Sequence, residues 1–305
     1  MTLWAITSYF NPAGYRTRFA NYQLFRQRLN VPLITVEHSP DGRFELGPAD
    51  ADILVQLSGG STLWQKERLL NVALDRLPEN CTAVAWIDCD VVLEDDDWAR
   101  LALRKLETAV LLQPFSRARE VRADQIDDPP PSAVVRPSFA LQYVEGALVE
   151  ERLRTWRIGT DPVPLHCGYA WVARAEVILR HGLYDASIVG GGTRELASTA
   201  IDRIDHLLAC RPRNEYQREH LLEWAKPFAE AVDGRVDYLD GDLVHLWHGD
   251  VSHRGYGTRY QMVADLGFDP THDIAVAGGC WEWSSDKPEL HRRVHEYFAQ
   301  RREDG

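Results

Sequence analysis

Asp88 and Asp90 carry the chemistry most easily read from this chain. They stand two residues apart in Ala83-Val84-Ala85-Trp86-Ile87-Asp88-Cys89-Asp90-Val91-Val92-Leu93, with Glu94, Asp95, Asp96 and Asp97 just beyond. The run before them is apolar and rich in β-formers, so it reads as a buried strand. Carboxylates two apart on an extended chain point to the same side. Two like charges at a strand end repel unless a cation neutralises them, and a hard divalent ion with oxygen ligands does this well. The carboxyl end of a strand in an open α/β sheet is also where ligands tend to bind. Asp88 and Asp90 are therefore candidate metal ligands, for Mg²⁺ or Mn²⁺ shared with substrate phosphates. The competing reading is a turn whose aspartates cap a helix beginning near Asp95.

The elements around this pair alternate. Leu3 to Phe10 reads as a strand ending in the turn-rich Ser8-Tyr9-Phe10-Asn11-Pro12-Ala13-Gly14. Tyr15 to Leu29 has helical spacing, Val31 to Glu37 and Ile53 to Leu57 read as strands, and Thr62 to Leu77 as an amphipathic helix. Alternation of this kind predicts a parallel α/β sheet. No G-x-G-x-x-G follows the first strand and no G-x-x-x-x-G-K-[ST] occurs, which disfavours a dinucleotide fold and a P-loop.

Further on, Val110 to Phe115 reads as a strand and Asp124 to Pro137 as a loop. His166 to Ala173 reads as a strand bringing aromatics to a pocket, and Arg174 to His181 as a short helix. Gly190-Gly191-Gly192 would let the backbone approach a ligand, with a helix of about four turns after it. Asn214 to Val232 reads as a helix, and Val236 to Gly249 as one strand ending in His245 and His248. Ser252 to Tyr260 is a basic-aromatic loop, Ile274 to Trp283 an irregular Trp-rich stretch, and Lys287 to Arg302 an amphipathic helix.

The 305 residues are 45% hydrophobic, enough for one large domain or two small ones. A formal net charge of −12 argues against a nucleic-acid partner. Any phosphate must be met locally, by a metal or a few Lys and Arg. Five scattered cysteines without a C-x-x-C suggest reduced thiols. No run of about 18 apolar residues offers a transmembrane segment, so the expectation is a soluble, cytoplasmic protein.

In their order, these features resemble glycosyltransferases of the GT-A fold. The branch in question includes polypeptide N-acetylgalactosaminyltransferases, chondroitin-polymerase domains and β-galactosyltransferases. The resemblance rests on the first strand and its loop, Trp64-Gln65-Lys66-Glu67-Arg68-Leu69-Leu70-Asn71, and Asp88-Cys89-Asp90. It continues through Gly168-Tyr169-Ala170-Trp171 to Gly190-Gly191-Gly192 and ends in the late His-x-x-His.

The resemblance implies a single GT-A (nucleotide-diphospho-sugar transferase) domain over 1–305, with a mostly parallel central sheet flanked by helices. Residues 1–115 would bind the nucleotide-sugar, and 116–305 the acceptor, with a C-terminal segment completing the metal shell. The implied activity is metal-dependent transfer of a sugar from a nucleotide-sugar donor, by default a UDP-sugar, to a carbohydrate or other hydroxyl acceptor. Asp90 would ligate Mn²⁺ or Mg²⁺ directly, with Asp88 nearer the ribose or a metal-bound water, and His245 or His248 completing the shell. Thr7, Ser8 and Phe10 would hold base and ribose; Lys66, Arg254, Tyr256 and Arg259 would face the nucleotide and its phosphates.

Inverting relatives carry an acid just after the Gly-rich segment. Here Thr193 stands in that place, so Glu195, two positions on, and Asp185 are the candidate catalytic bases. Two other readings compete. A nucleotidyltransferase of related sheet architecture would want a Gly-rich basic loop after the first strand, yet Ser8 to Gly14 holds one glycine and no Lys or Arg. A non-catalytic carbohydrate-binding protein would use Trp64, Trp171, Trp247, Trp281 and Trp283 as stacking platforms.

Overall fold

The computed structural model describes residues 2–304 except 126, 129, 131–132, 149–165 and 256–257. Its strands are β1 (Leu3–Phe10), β2 (Leu33–Ser39), β3 (Ile53–Ser58), β4 (Ala83–Ile87), β5 (Val91–Leu93), β6 (Leu111–Gln113) and β7 (Arg117–Val121). β8 (Val134–Pro137), β9 (Ala170–Arg174), β10 (Val236–Tyr238), β11 (Asp242–Leu246), β12 (Ile274–Ala277) and β13 (Cys280–Trp283) follow.

Seven strands form the central sheet in the order β10-β6-β9-β4-β1-β2-β3. Every pairing in it is parallel except the two made by β9. Successive residues of its strands feed two separate cores. Ile6, Ile34, Val84, Trp86 and Trp171 point into one, under the helices Lys66–Leu74, Glu215–Val232 and Pro288–Ala299. Ala5, Leu33, Ala85, Ile87 and Val172 point into the other, under Arg16–Arg28 and Trp98–Lys105. Because both faces are covered, β2 and β4 are buried throughout, and β4 is apolar along its whole length. Trp171, wholly buried, anchors the larger core and donates its indole N–H to the Cys167 carbonyl at 2.8 Å.

A second sheet, β5-β11-β7-β8, decides where the site lies. Three times the chain leaves the central sheet and enters this one within a few residues: from β4 to β5, from β6 to β7 and from β10 to β11. The seam between the sheets therefore collects three connections, and Asp88-Cys89-Asp90 is one of them.

Several local expectations change. The acidic pair sits on a turn between β4 and β5, not on a continuous strand, so its two side chains need not share a face. Val236 to Gly249 is likewise two strands in two sheets, broken at Leu239–Gly241. The segment from 124 to 137 contains β8, which pairs with β7, and Ile274 to Trp283 is the β12–β13 hairpin. The four-turn helix after the glycines is two short helices, Gly192–Ala200 and Ile204–Cys210.

The helix Arg16–Arg28 gains no capping bond from the Tyr15 side chain. Asp304 supplies the cap instead, accepting from the backbone N–H of Thr17 at 2.9 Å and of Arg16 at 3.2 Å. Among the described residues, no helix is long and apolar enough to cross a membrane.

Candidate active site

A cavity of about 760 Å³ opens along the seam, within the range of small-molecule sites. Its lining includes nine Lys or Arg against five Asp or Glu, the reverse of the chain's balance of −12. A cavity with a local surplus of guanidinium groups suits an anionic ligand.

At one side Asp90, His245 and His248 present ligand atoms that all lie within 4.8 Å of one another. Each comes from a seam element: Asp90 from the β4–β5 turn, His245 from β11, His248 from just beyond it. Asp90 Oδ2 lies 3.2 Å from His248 Nε2, while the buried Asp90 Oδ1 has no hydrogen-bond partner. A carboxylate with one orphaned oxygen, grouped with two imidazoles, fits a divalent cation of the Mn²⁺ type. Burial, then His248 and Arg254, push His245 well below the ordinary histidine value, which leaves a neutral ring with a lone pair for a metal.

Asp88 stands outside that group. Its carboxylate is in close ion pairing with Lys66. Burial works against the Lys66 ammonium, but Asp88 and Glu67 outweigh it and hold Lys66 protonated. The two carboxylates of the motif thus have different partners, an ammonium for Asp88 and the His248 ring for Asp90.

Tyr169 shapes the floor. Its φ of +78° is a left-handed backbone that non-glycine residues adopt at an energetic cost. Its carbonyl accepts from Asp88 N–H at 2.7 Å, and its ring lies between His166, at 3.8 Å, and His245, at 4.5 Å. Burial and Arg136 push His166 down to about 3.

The C-terminal tail closes the site. The buried Glu303 carboxylate accepts from Arg18 Nε at 2.9 Å and from Arg301 Nε at 2.7 Å. Its Oε2 stands 3.7 Å from His248 Nδ1. Burial alone would raise this carboxyl; Arg18, His248 and Arg301 more than reverse that and hold it far below the usual range.

Of the nucleotide-binding candidates, Ser8, Phe10, Lys66, Asp88, Arg254 and Arg259 line the cavity. Arg254 brings a guanidinium nitrogen to 3.1 Å from His248 Nε2. Thr7 does not line it: wholly buried, its hydroxyl donates to the Ile87 carbonyl at 2.6 Å and ties β1 to β4. Tyr256 lies outside the described residues.

Neither candidate base lines the cavity. Asp185 accepts from Asn71 at 3.0 Å and from Arg68 at 3.2 Å. Glu195 is wholly buried, paired with Arg211 at 2.8 Å and with Arg213. Burial would raise it, but the two arginines hold it below its ordinary value.

The glycines before it are packed closely by side chains, and Gly191 also lines the cavity. An added Cβ at Gly191, where φ is +110°, would meet Arg211 Nη1 and Tyr260 Oη at 2.6 Å each. At Gly192 it would meet the Glu67 carboxyl, also at 2.6 Å.

Sequence reading missed Arg18, Arg211, His166 and Glu303. Glu303 had no signal at all: it follows an amphipathic helix in a short charged tail, which reads as a solvated chain end.

No family model and no curated protein matches the chain. Solved structures similar to it include S. aureus TarS 1–349 in complex with UDP-GlcNAc, at 13% identity and TM-score 0.38 over 65% of this chain and 52% of that one. Glucosyl-3-phosphoglycerate synthase from Mycobacterium tuberculosis, with Mn²⁺, UDP and phosphoglyceric acid, matches at 11% and 0.40 over 90% and 81%. 4-Diphosphocytidyl-2C-methyl-D-erythritol synthase from Anaerococcus prevotii matches at 11% and 0.33 over 79% and 87%. The chain spans about half of that TarS structure.

Proposed function

We propose that this chain is a metal-dependent glycosyltransferase that moves a sugar from a nucleotide-sugar, with UDP as the nucleotide, to a hydroxyl acceptor. The observation that carries this reading is the Asp90–His245–His248 group at the edge of a cavity whose lining is cationic in an acidic chain. A divalent cation held there would stabilise the charge that develops on the nucleoside diphosphate as the glycosidic bond breaks.

The chain's own residues do the rest. Lys66 brings a protonated ammonium beside Asp88, and Arg254 adds a guanidinium for phosphate oxygens. Ser8 and Phe10 supply the wall for base and ribose. Tyr169 holds the Asp88 backbone and flanks His245, so the two halves of the motif keep their separate partners.

The carbohydrate-platform alternative is weakened by where the tryptophans lie. Of the five, Trp64 and Trp247 line the cavity, while Trp171 is core, Trp281 is bonded to the Asp185 carbonyl at 2.9 Å and Trp283 stacks on His291 at 4.2 Å.

Calorimetric titration of UDP and GDP, with and without Mn²⁺, tests the reading on wild type and Asp90→Ala. UDP should bind only with Mn²⁺, and Asp90→Ala should abolish that binding; tight metal-independent binding of either nucleotide, or none, would overturn it.

A further inference from the structure

One wall of the cavity is built as an alternating stack of arginines and aromatics. Arg211 lies over the Tyr260 ring at 4.1 Å, and Arg259 covers the same ring at 4.7 Å. Arg259 also stands 5.7 Å from Tyr297, Arg301 stands 6.0 Å from Tyr297, and Arg301 ends the stack over Trp64 at 5.1 Å. Hydroxyl groups lock it: Arg259 donates to Tyr297 Oη at 2.7 Å and to Tyr260 Oη at 2.5 Å, and Arg301 donates to Tyr297 Oη at 3.1 Å. Each of the three arginines is less than 7% exposed and lines the cavity. Holding buried guanidiniums this rigidly has a large desolvation cost, which a bound anion offsets.

Among the described residues, the carboxylates paired with Arg18, Arg211, Arg213 and Arg301 are outnumbered by them. Glu195 is shared by Arg211 and Arg213, and Glu303 by Arg18 and Arg301, so two carboxylates carry four guanidiniums. Arg194 joins the same lining, and burial with Arg211 beside it pulls it below the usual arginine value. Arg211 Nε is buried with no hydrogen-bond partner. The helix Gly192–Ala200 starts here without a side-chain cap, with Gly191 and Thr193 in the lining and the Glu67 carboxyl against Gly192.

The metal group and Lys66 are drawn from the β4–β5 turn, β11 and the helix Lys66–Leu74. Arg194 and Arg211 come from the segment that the resemblance places on the acceptor side. We infer that this wall binds a phosphate group carried by the hydroxyl acceptor, so that the preferred acceptor is a phosphate ester. The inference rests on the transferase reading for the word acceptor, but the anion site itself does not.

The probe is methyl phosphate, titrated calorimetrically into the full chain, first alone and then with UDP and Mg²⁺ saturating. Binding should persist in the presence of UDP. It should weaken at least tenfold in Arg211→Gln and in Arg194→Gln, the second of which leaves both arginine partners of Glu195 in place. If Arg211→Gln fails to fold, Arg194→Gln reads the same site. Methyl phosphate that binds only by displacing UDP would assign the wall to the donor diphosphate and overturn the inference. Absent binding, or binding unchanged in a folded variant, would also overturn it. Failure of UDP to bind while methyl phosphate binds through Arg194 would sink the transferase reading and leave the anion site standing.

Discussion

Two buried carboxylates in this molecule have nearly the same electrostatic setting and different neighbours. Glu195 and Glu303 are each almost fully buried, each gripped by two arginines, and each held below its ordinary value. Glu195 looks inward, at Ser187 and the base of the helix Gly192–Ala200. Glu303 looks across at His248, one of the three candidate metal ligands. A buried, double-arginine carboxylate therefore does not by itself mark catalytic chemistry. What stands on its other side does.

The largest effect that would break the comparison is on stability. Glu195→Gln leaves Arg211 and Arg213 facing each other without a counter-charge, and should lower the urea-unfolding free energy by about 3–5 kcal/mol. It should leave Mn²⁺ affinity within threefold of wild type; a larger loss would tie Glu195 to the metal group after all.

Glu67 supplies a contrast of opposite sign. Burial pushes its carboxyl up to about 7, against Lys66, which pulls it down. A raised folded-state value means that its contribution to stability is complete below about 4.5 and is lost as pH rises through about 7. Glu67→Gln removes that dependence. Its advantage over wild type should be near zero at pH 4 and grow to about 3 kcal/mol at pH 8, read from paired denaturant curves. An advantage that did not change with pH would contradict the burial argument.

Glu303→Gln sharpens the comparison on the metal side. Removing a partner of a metal-ligating histidine typically weakens the metal 10–100-fold. The expected result is that loss in calorimetric Mn²⁺ affinity, beyond any loss of stability; wild-type affinity in a folded variant would reduce Glu303 to a structural clamp. The smallest effect belongs to Asp304→Ala. It removes the cap of Arg16–Arg28 and should lower stability by about 1 kcal/mol with Mn²⁺ affinity unchanged.

Much of the framework was legible locally. β1, the helix near Arg16–Arg28, β2, β3 and the capping box of Asn214 and Gln217 before Glu215–Val232 all follow from patterns within a few residues. Short elements were harder. β5, β10 and β12 have three or four residues each, too few for a period to register; β5 and β10 form because strands far away in sequence offer them edges, and β12 because the hairpin turn brings β13 back onto it. The acidic pair read as one unit because spacing assumes a continuous strand; the turn between two sheets sent Asp88 to Lys66 and Asp90 to His248.

The sequence by itself determined the alternating α/β layers, the acidic net charge, and the types and order of the groups able to hold a cation: Asp90, His245 and His248. Those depend on hydrophobic period and residue chemistry, which are local properties. Only the tertiary structure decided that the three meet at a seam crossed three times by the chain. It also decided that Glu303 closes on His248 from the far terminus, and that Arg211, Arg259 and Arg301 stack into one wall. These depend on which distant segments share a surface after both faces of the central sheet are buried, and no spacing along the chain encodes that.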